Sequence, residues 1–222
     1  MSSGGKTNKY TGCLIDSGLL DYVPQEHWTA VCSQMQAQER SLRRGEIVFH
    51  TGDIIDRIGI VISGSIRSEK NYEDGEVHIL SVVEEQGLFG LVMAMSKTRI
   101  SPVNFIANRN SRILLISMES LKSCDHWDAI QRMLVENLAD ELIRNANRIE
   151  MLAQHTIRAR ALTYLRTVAA KTSSDEVTLS MNREQLAQFL CVNRTSLSNE
   201  LSLMQQEGLI EFRKNKFKLL HS

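Results

Sequence analysis

At 222 residues the chain is long enough for two domains of ordinary size or one large one, and its 42% apolar and 23% charged residues exclude disordered and fibrous architectures. Apolar runs such as those at 58–62 and 113–116 fall far short of the roughly 20 residues a membrane span requires, and the polar segment 1–10 lacks the apolar core of a signal peptide, so the cytoplasm is the expected location. The 26 bases and 26 acids cancel, yet from Ala153 onward ten bases face six acids: the tail is net positive and the remainder net negative.

Residues 24–38 read as a helix, with Trp28, Val31, Cys32 and Met35 spaced by three and four. From about 41 to 116 short apolar segments alternate with turn signals such as Gly52-Asp53, Ser63-Gly64 and Asp74-Gly75, which predicts antiparallel strands in a sandwich or barrel with a hairpin at Asp74-Gly75. The cysteines Cys13, Cys32, Cys124 and Cys191 are scattered, without the close spacing of a structural metal site, and read as buried or idle thiols. A redox sensor at Cys13 or Cys32 is the alternative, but neither has an activating neighbour in the sequence.

A long helix is predicted over 127–152, free of glycine and proline. Gln131, Leu138, Asn145 and Leu152 recur every seven residues, and Val135, Leu142 and Ile149 form a second seam of the same repeat. Such a pattern is that of a two-stranded coiled coil, which makes Val135, Leu138, Leu142, Asn145, Ile149 and Leu152 the candidate dimer interface; packing of the stripe on its own domain is the alternative. The heptad breaks at 152–156, Thr156 is a candidate N-cap for a helix over 157–171, and 171–177 is a polar loop.

Asn182 is placed to cap a helix that carries Glu184, Leu186, Ala187, Phe189 and Leu190; a break at 191–193 is followed by a helix from Arg194 to about Glu207 that buries Leu197, Leu201 and Met204. Two short helices joined by three or four residues form the helix-turn-helix geometry, in which the start of the second helix enters the major groove. Arg194 can pair with a guanine edge, Asn199 with adenine, and Thr195, Ser196 and Ser198 with base or phosphate. After Gly208, segments 209–212 and 216–220 read as a hairpin around Arg213-Lys214-Asn215, a basic wing with Lys214 and Lys216 at its tip. With Asn182, Arg183 and Asn193 at the helix starts, these are the candidate DNA contacts.

The run NREQLAQFLCVNRTSLSNELSLMQQEGLI resembles the helix-turn-helix of the Crp/Fnr family of bacterial regulators, and RRGEIVFHTGDIIDRIGIVISGSIR with GLFG resembles that family's cyclic-nucleotide-binding-type β-roll. The resemblance covers residues from about 15 to the end. It implies an α+β chain with an effector domain of antiparallel jelly-roll form over 1–126, a dimerisation helix over 127–152 and a winged helix-turn-helix over 153–222. It further implies a hinge near 152–156 and a homodimer on a pseudo-palindromic operator in double-stranded DNA. RNA polymerase joins the expected partners if the protein activates.

In cyclic-nucleotide-binding members a glutamate follows the Phe-Gly pair and an Arg-Ser pair holds the phosphate. Here Leu91 follows Phe89-Gly90, and Ser101-Pro102 stands in place of Arg-Ser. An anionic ligand thereby loses its charge-assisted partner, so the expected effector is a small molecule other than cyclic AMP, with Gly90, Leu91, Val92, Arg99, Ser101, Pro102, Val103 and Asn145 as candidate contacts. Filling of the roll by the apolar members of this set is the alternative. No cofactor, metal or catalytic residue is assigned. A metal-dependent jelly-roll enzyme would show clustered histidines, whereas His50 and His78 lie far apart and no His-x-His occurs. A scaffold that senses an effector without binding DNA is the third reading, and the winged-helix pattern argues against it.

Overall fold

The computed structural model describes residues 9–220; the polar start read above as lacking a signal peptide lies mostly outside them. The chain divides into two compact units, one formed by residues up to 69 with 82–141, the other by 70–81 with 142–222.

In the first unit α1 (Thr11–Asp16), a 3-10 turn at Gln25–His27 and α2 (Trp28–Gln34) precede the strands. The helix expected over 24–38 is shorter at both ends. Pro24 caps the 3-10 turn, and the chain leaves the helix through Gln36 at φ 49° so that Gln38 can open a strand opposite Leu115. The ladder wins over the local helical spacing.

The strands β1 (Gln38–Leu42), β2 (Ile47–Phe49), β3 (Arg57–Ser63), β4 (Ile66–Asn71), β5 (Val77–Val83) and β6 (Leu88–Phe89) are followed by the short helix α3 (Leu91–Met95), then β7 (Asn104–Ala107) and β8 (Ser111–Ser117). They form two four-stranded sheets, β1-β8-β3-β6 and β2-β7-β4-β5. Neighbours such as β3 and β8 run antiparallel, and strands adjacent in a sheet are seldom adjacent in sequence, the connectivity of a jelly roll. Ile58, Ile60, Ile66, Ile113, Leu114 and Ile116 are fully buried.

Phe49, Phe89 and Phe105 meet with ring centroids 5.7–6.1 Å apart and fill the middle of the roll. A Cβ on Gly59 would lie 2.0 Å from the Phe89 ring, so only glycine lets strand β3 pass beside it. Burial pushes the thiols of Cys13 and Cys32 up, and that of Cys124 to about 11, away from the reactive thiolate.

After α4 (Met118–Lys122) comes α5 (Trp127–Ala153), whose start buries Ile130, Met133 and Leu134 in the first unit's core. The second unit adds α6 (Ile157–Thr172), β9 (Glu176–Thr178), α7 (Arg183–Leu190), α8 (Arg194–Gln206), β10 (Ile210–Arg213) and β11 (Lys216–Leu219). Its three-stranded antiparallel sheet has the order β10-β11-β9; β9 falls at the edge of the segment the sequence presented as a polar loop. No described helix is long and apolar enough to cross a membrane, and the described residues hold no group of three or more His, Cys, Asp or Glu side chains able to hold a metal ion.

Candidate nucleic-acid interface

Three side-chain caps set where the helices of the second unit begin. Thr156 Oγ1 accepts from the Ala159 N–H at 3.1 Å, and Asn182 Oδ1 accepts from the Gln185 N–H at 2.9 Å while Gln185 reaches back to the Asn182 N–H, a capping box. Asn193 Oδ1 accepts from the N–H groups of Thr195 and Ser196 at 2.8 and 3.3 Å. Each cap supplies about 1 kcal/mol by satisfying donors the helix cannot. The Asn182 and Asn193 oxygens are therefore engaged within the fold, and Asn193 fixes the first turn of α8.

That first turn is exposed, as are Ser202, Leu203, Gln205 and Gln206 farther along the helix. Leu197, Leu201 and Met204 are fully buried on one side of α8, in a unit whose core also holds Ala161, Leu165, Leu186, Ala187 and Leu190. Arg194, Thr195, Ser196 and Asn199 face solvent, and Ser198 is half-buried at the edge. At the far end Gly208, at φ 73°, lets the Leu209 N–H bond the Met204 carbonyl at 2.9 Å, a C-terminal turn that sends the chain into β10. Gln205 Oε1 then accepts from the Phe212 N–H at 3.1 Å and ties the wing to α8. Lys214 and Lys216 are exposed around the wing turn, with Lys214 at φ 57°. Arg183 differs: its half-buried guanidinium lies 4.8 Å from the Phe212 ring and donates to the Lys214 carbonyl at 3.2 Å.

Three arginines missed in the sequence hold this arrangement. Arg148 donates through Nη2 to the carbonyls of Ile79 and Phe189 at 2.8 and 3.0 Å, with its guanidinium 4.2 Å from the Phe189 ring. Arg160 donates to the Leu190 and Cys191 carbonyls, both at 3.3 Å. Together they satisfy acceptors at the end of α7, where cations also oppose the helix dipole. Arg158 forks across α8, with Nε 2.6 Å from Glu200 and Nη1 and Nη2 2.6 and 2.9 Å from the two oxygens of Glu207. Separations of 30 to 69 residues leave no sequence signal for these contacts.

In the first unit the candidate effector residues part ways. Leu91 and Val103 are 2% and 4% exposed and belong to the core, and buried Ser101 donates its hydroxyl to the Val103 carbonyl at 2.7 Å. Gly90 takes φ 78° at the start of α3, whereas Val92, Arg99 and Pro102 are exposed. Asn145 lies on the part of α5 that belongs to the second unit, and it is exposed. Along α5, Val135, Leu142 and Ile149 are 51%, 71% and 70% exposed, while Leu138 and Leu152 are half-buried. The second seam is thus an uncovered apolar stripe.

Residues 39–124 match the family described as the cyclic nucleotide-binding domain, and residues 159–221 match the Crp-like helix-turn-helix domain. The chain is 24% identical to the transcriptional activator protein FnrA of Stutzerimonas stutzeri over 82% of this chain and 77% of that one. It is also 24% identical to the CRP-like cAMP-activated global transcriptional regulator of Mycobacterium tuberculosis, over 89% of each. Among solved structures, FixK2 from Bradyrhizobium japonicum superposes with a TM-score of 0.71 at 21% identity, covering 82% of this chain and 92% of that one.

The Arg158 fork gives a pH test. The hydrogen bond from Arg158 holds the Glu207 carboxyl below its ordinary value of 4.5. A depressed carboxylate adds stability above its unfolded pKa and loses it as pH falls through the folded value. Arg158→Ala should therefore lower the urea midpoint at neutral pH, with the gap to wild type narrowing as pH falls below the ordinary carboxyl value of 4.5. A gap unchanged with pH contradicts the ion-pair account.

Proposed function

The chain belongs to the Crp/Fnr family of transcription regulators, and on that premise we propose that it is a homodimeric, sequence-specific regulator that reads duplex DNA with the first turn of α8. The observation that carries this reading is the division of α8, with Leu197, Leu201 and Met204 fully buried and Arg194, Thr195, Ser196 and Asn199 outward beside a basic wing. Arg194 takes a guanine edge, Asn199 and Ser198 extend the base contacts, and Lys214 and Lys216 lie on phosphates. The regulator reading replaces the jelly-roll enzyme, since the family's members regulate transcription.

The uncovered stripe Val135, Leu142 and Ile149 on α5 supports dimerisation through a second copy of the same helix, with Leu138, Asn145 and Leu152 flanking it. A two-fold dimer matches a pseudo-palindromic operator with half-sites about one helical turn, ~10 bp, apart. The effector is a small molecule other than cyclic AMP. Support comes from Leu91 and Ser101: the first is apolar and buried where a ribose-binding carboxylate is expected, and the hydroxyl of the second is already bonded to Val103. Such an effector acts by preferring one of two domain arrangements.

Arg194→Ala is expected to cost about 1–3 kcal/mol on the specific operator and to relax selectivity at one base pair per half-site. Lys214→Ala or Lys216→Ala should weaken operator and random duplexes alike and reduce the salt slope by about 0.9 per phosphate contact. Equal loss on both duplexes for Arg194→Ala would make Arg194 a backbone clamp. Leu142→Glu combined with Ile149→Glu, both at exposed positions, should give folded monomers in sedimentation, and an intact dimer would refute the α5 interface. Calorimetric titration with cyclic AMP or cyclic GMP should register no binding at micromolar concentration. Micromolar or tighter affinity for either overturns the effector assignment.

A further inference from the structure

Arg183 occupies the first position of α7, where the helix dipole disfavours a cation and favours the acid that follows it, Glu184. Its side chain turns instead toward the wing. The guanidinium carbon lies 4.8 Å from the Phe212 ring centroid and 5.4 Å from that of Phe217. These two rings face each other directly across the β10–β11 ladder, stacked at 5.8 Å and 27°. Nη2 donates to the carbonyl of Lys214, the residue at φ 57° in the wing turn, at 3.2 Å. Nη1 is shielded from solvent and has no hydrogen-bond partner among the described residues.

The other side of the turn is also held. Asn215 Nδ2 donates to the Leu179 carbonyl at 2.6 Å, and the Leu179 N–H donates to the Asn215 carbonyl at 2.9 Å. Two four-residue strands joined by a tight turn are marginally stable alone. A planar guanidinium that stacks on the paired rings and bonds the turn carbonyl links the wing tip to the start of α7, a task lysine cannot perform because it lacks both the plane and the fork.

We propose that Arg183 is a positioning residue for the wing: it places Lys214 and Lys216 for DNA and leaves phosphate contact to them. This inference rests on the DNA-binding reading above and adds to it the residue through which the wing is aimed.

The test has one arm without DNA and one with it. In the free full-length protein, hydrogen exchange of the β10–β11 amides should accelerate about tenfold in Arg183→Lys, while the α8 amides keep their wild-type rates. Unchanged wing protection overturns the proposal, as does equal acceleration in α8, which would mark general loosening. With duplex DNA, Arg183→Lys and Arg183→Met should each weaken binding about tenfold in the wild-type background. The same substitutions should cost less than about twofold when Lys214→Ala and Lys216→Ala are already present. A direct phosphate contact predicts the reverse pattern, with Arg183→Lys near wild type and Arg183→Met equally costly in both backgrounds, and that result overturns the proposal. If wild-type protein ignored duplex DNA, the regulator reading would fall while the exchange arm still decided whether Arg183 braces the wing.

Discussion

The DNA-reading unit depends on the burial of one face of α8. Leu197, Leu201 and Met204 are 0% exposed, and each such side chain is worth about 1.5–3 kcal/mol on burial. Their sum exceeds the roughly 1 kcal/mol of any single cap, so the apolar stripe decides which way the helix is turned and the caps decide where it starts. Once the stripe faces inward, the 3.6-residue period leaves Thr195 and Asn199 no direction but outward, while Arg194, on the stripe's side of the helix, is exposed as the first residue of α8. The polar chemistry at the start of α8 therefore follows from the apolar chemistry behind it.

Electrostatic contacts refine that placement. Arg148 and Arg160 occupy the carbonyls that α7 leaves open at its end, and Arg158 joins Glu200 of α8 and Glu207 just past its end to the start of α6. Arg158 also pairs with Glu200 and Glu207, negative charges within and just past the helix assigned to a polyanion. In the first unit Leu91 joins the core and the Ser101 hydroxyl bonds the Val103 carbonyl, the two observations on which the proposed effector reading rests.

Much of this was legible in the sequence because its signals are local. Asn182, Thr156 and Gly208 mark helix ends through contacts with residues three to five positions away, and the β-roll's turn residues mark its strands. The early end of α2 was not legible, since the strand pairing of Gln38 with Leu115 bridges 77 residues and overrides local spacing. Strand β9 has three residues and owes its form to β11, so no local pattern could reveal it. Arg183 read as a DNA contact because an arginine at a helix start carries no sign of the Phe212 and Phe217 rings that hold it.

Sequencing the duplexes retained from a random pool by the full-length protein tests the central claim most directly. The account predicts a two-fold symmetric motif whose half-sites are centred about one helical turn, ~10 bp, apart, with a guanine preference in each half that disappears for Arg194→Ala. Retained duplexes with no shared motif, or with a motif unaffected by that substitution, would contradict base reading by the first turn of α8.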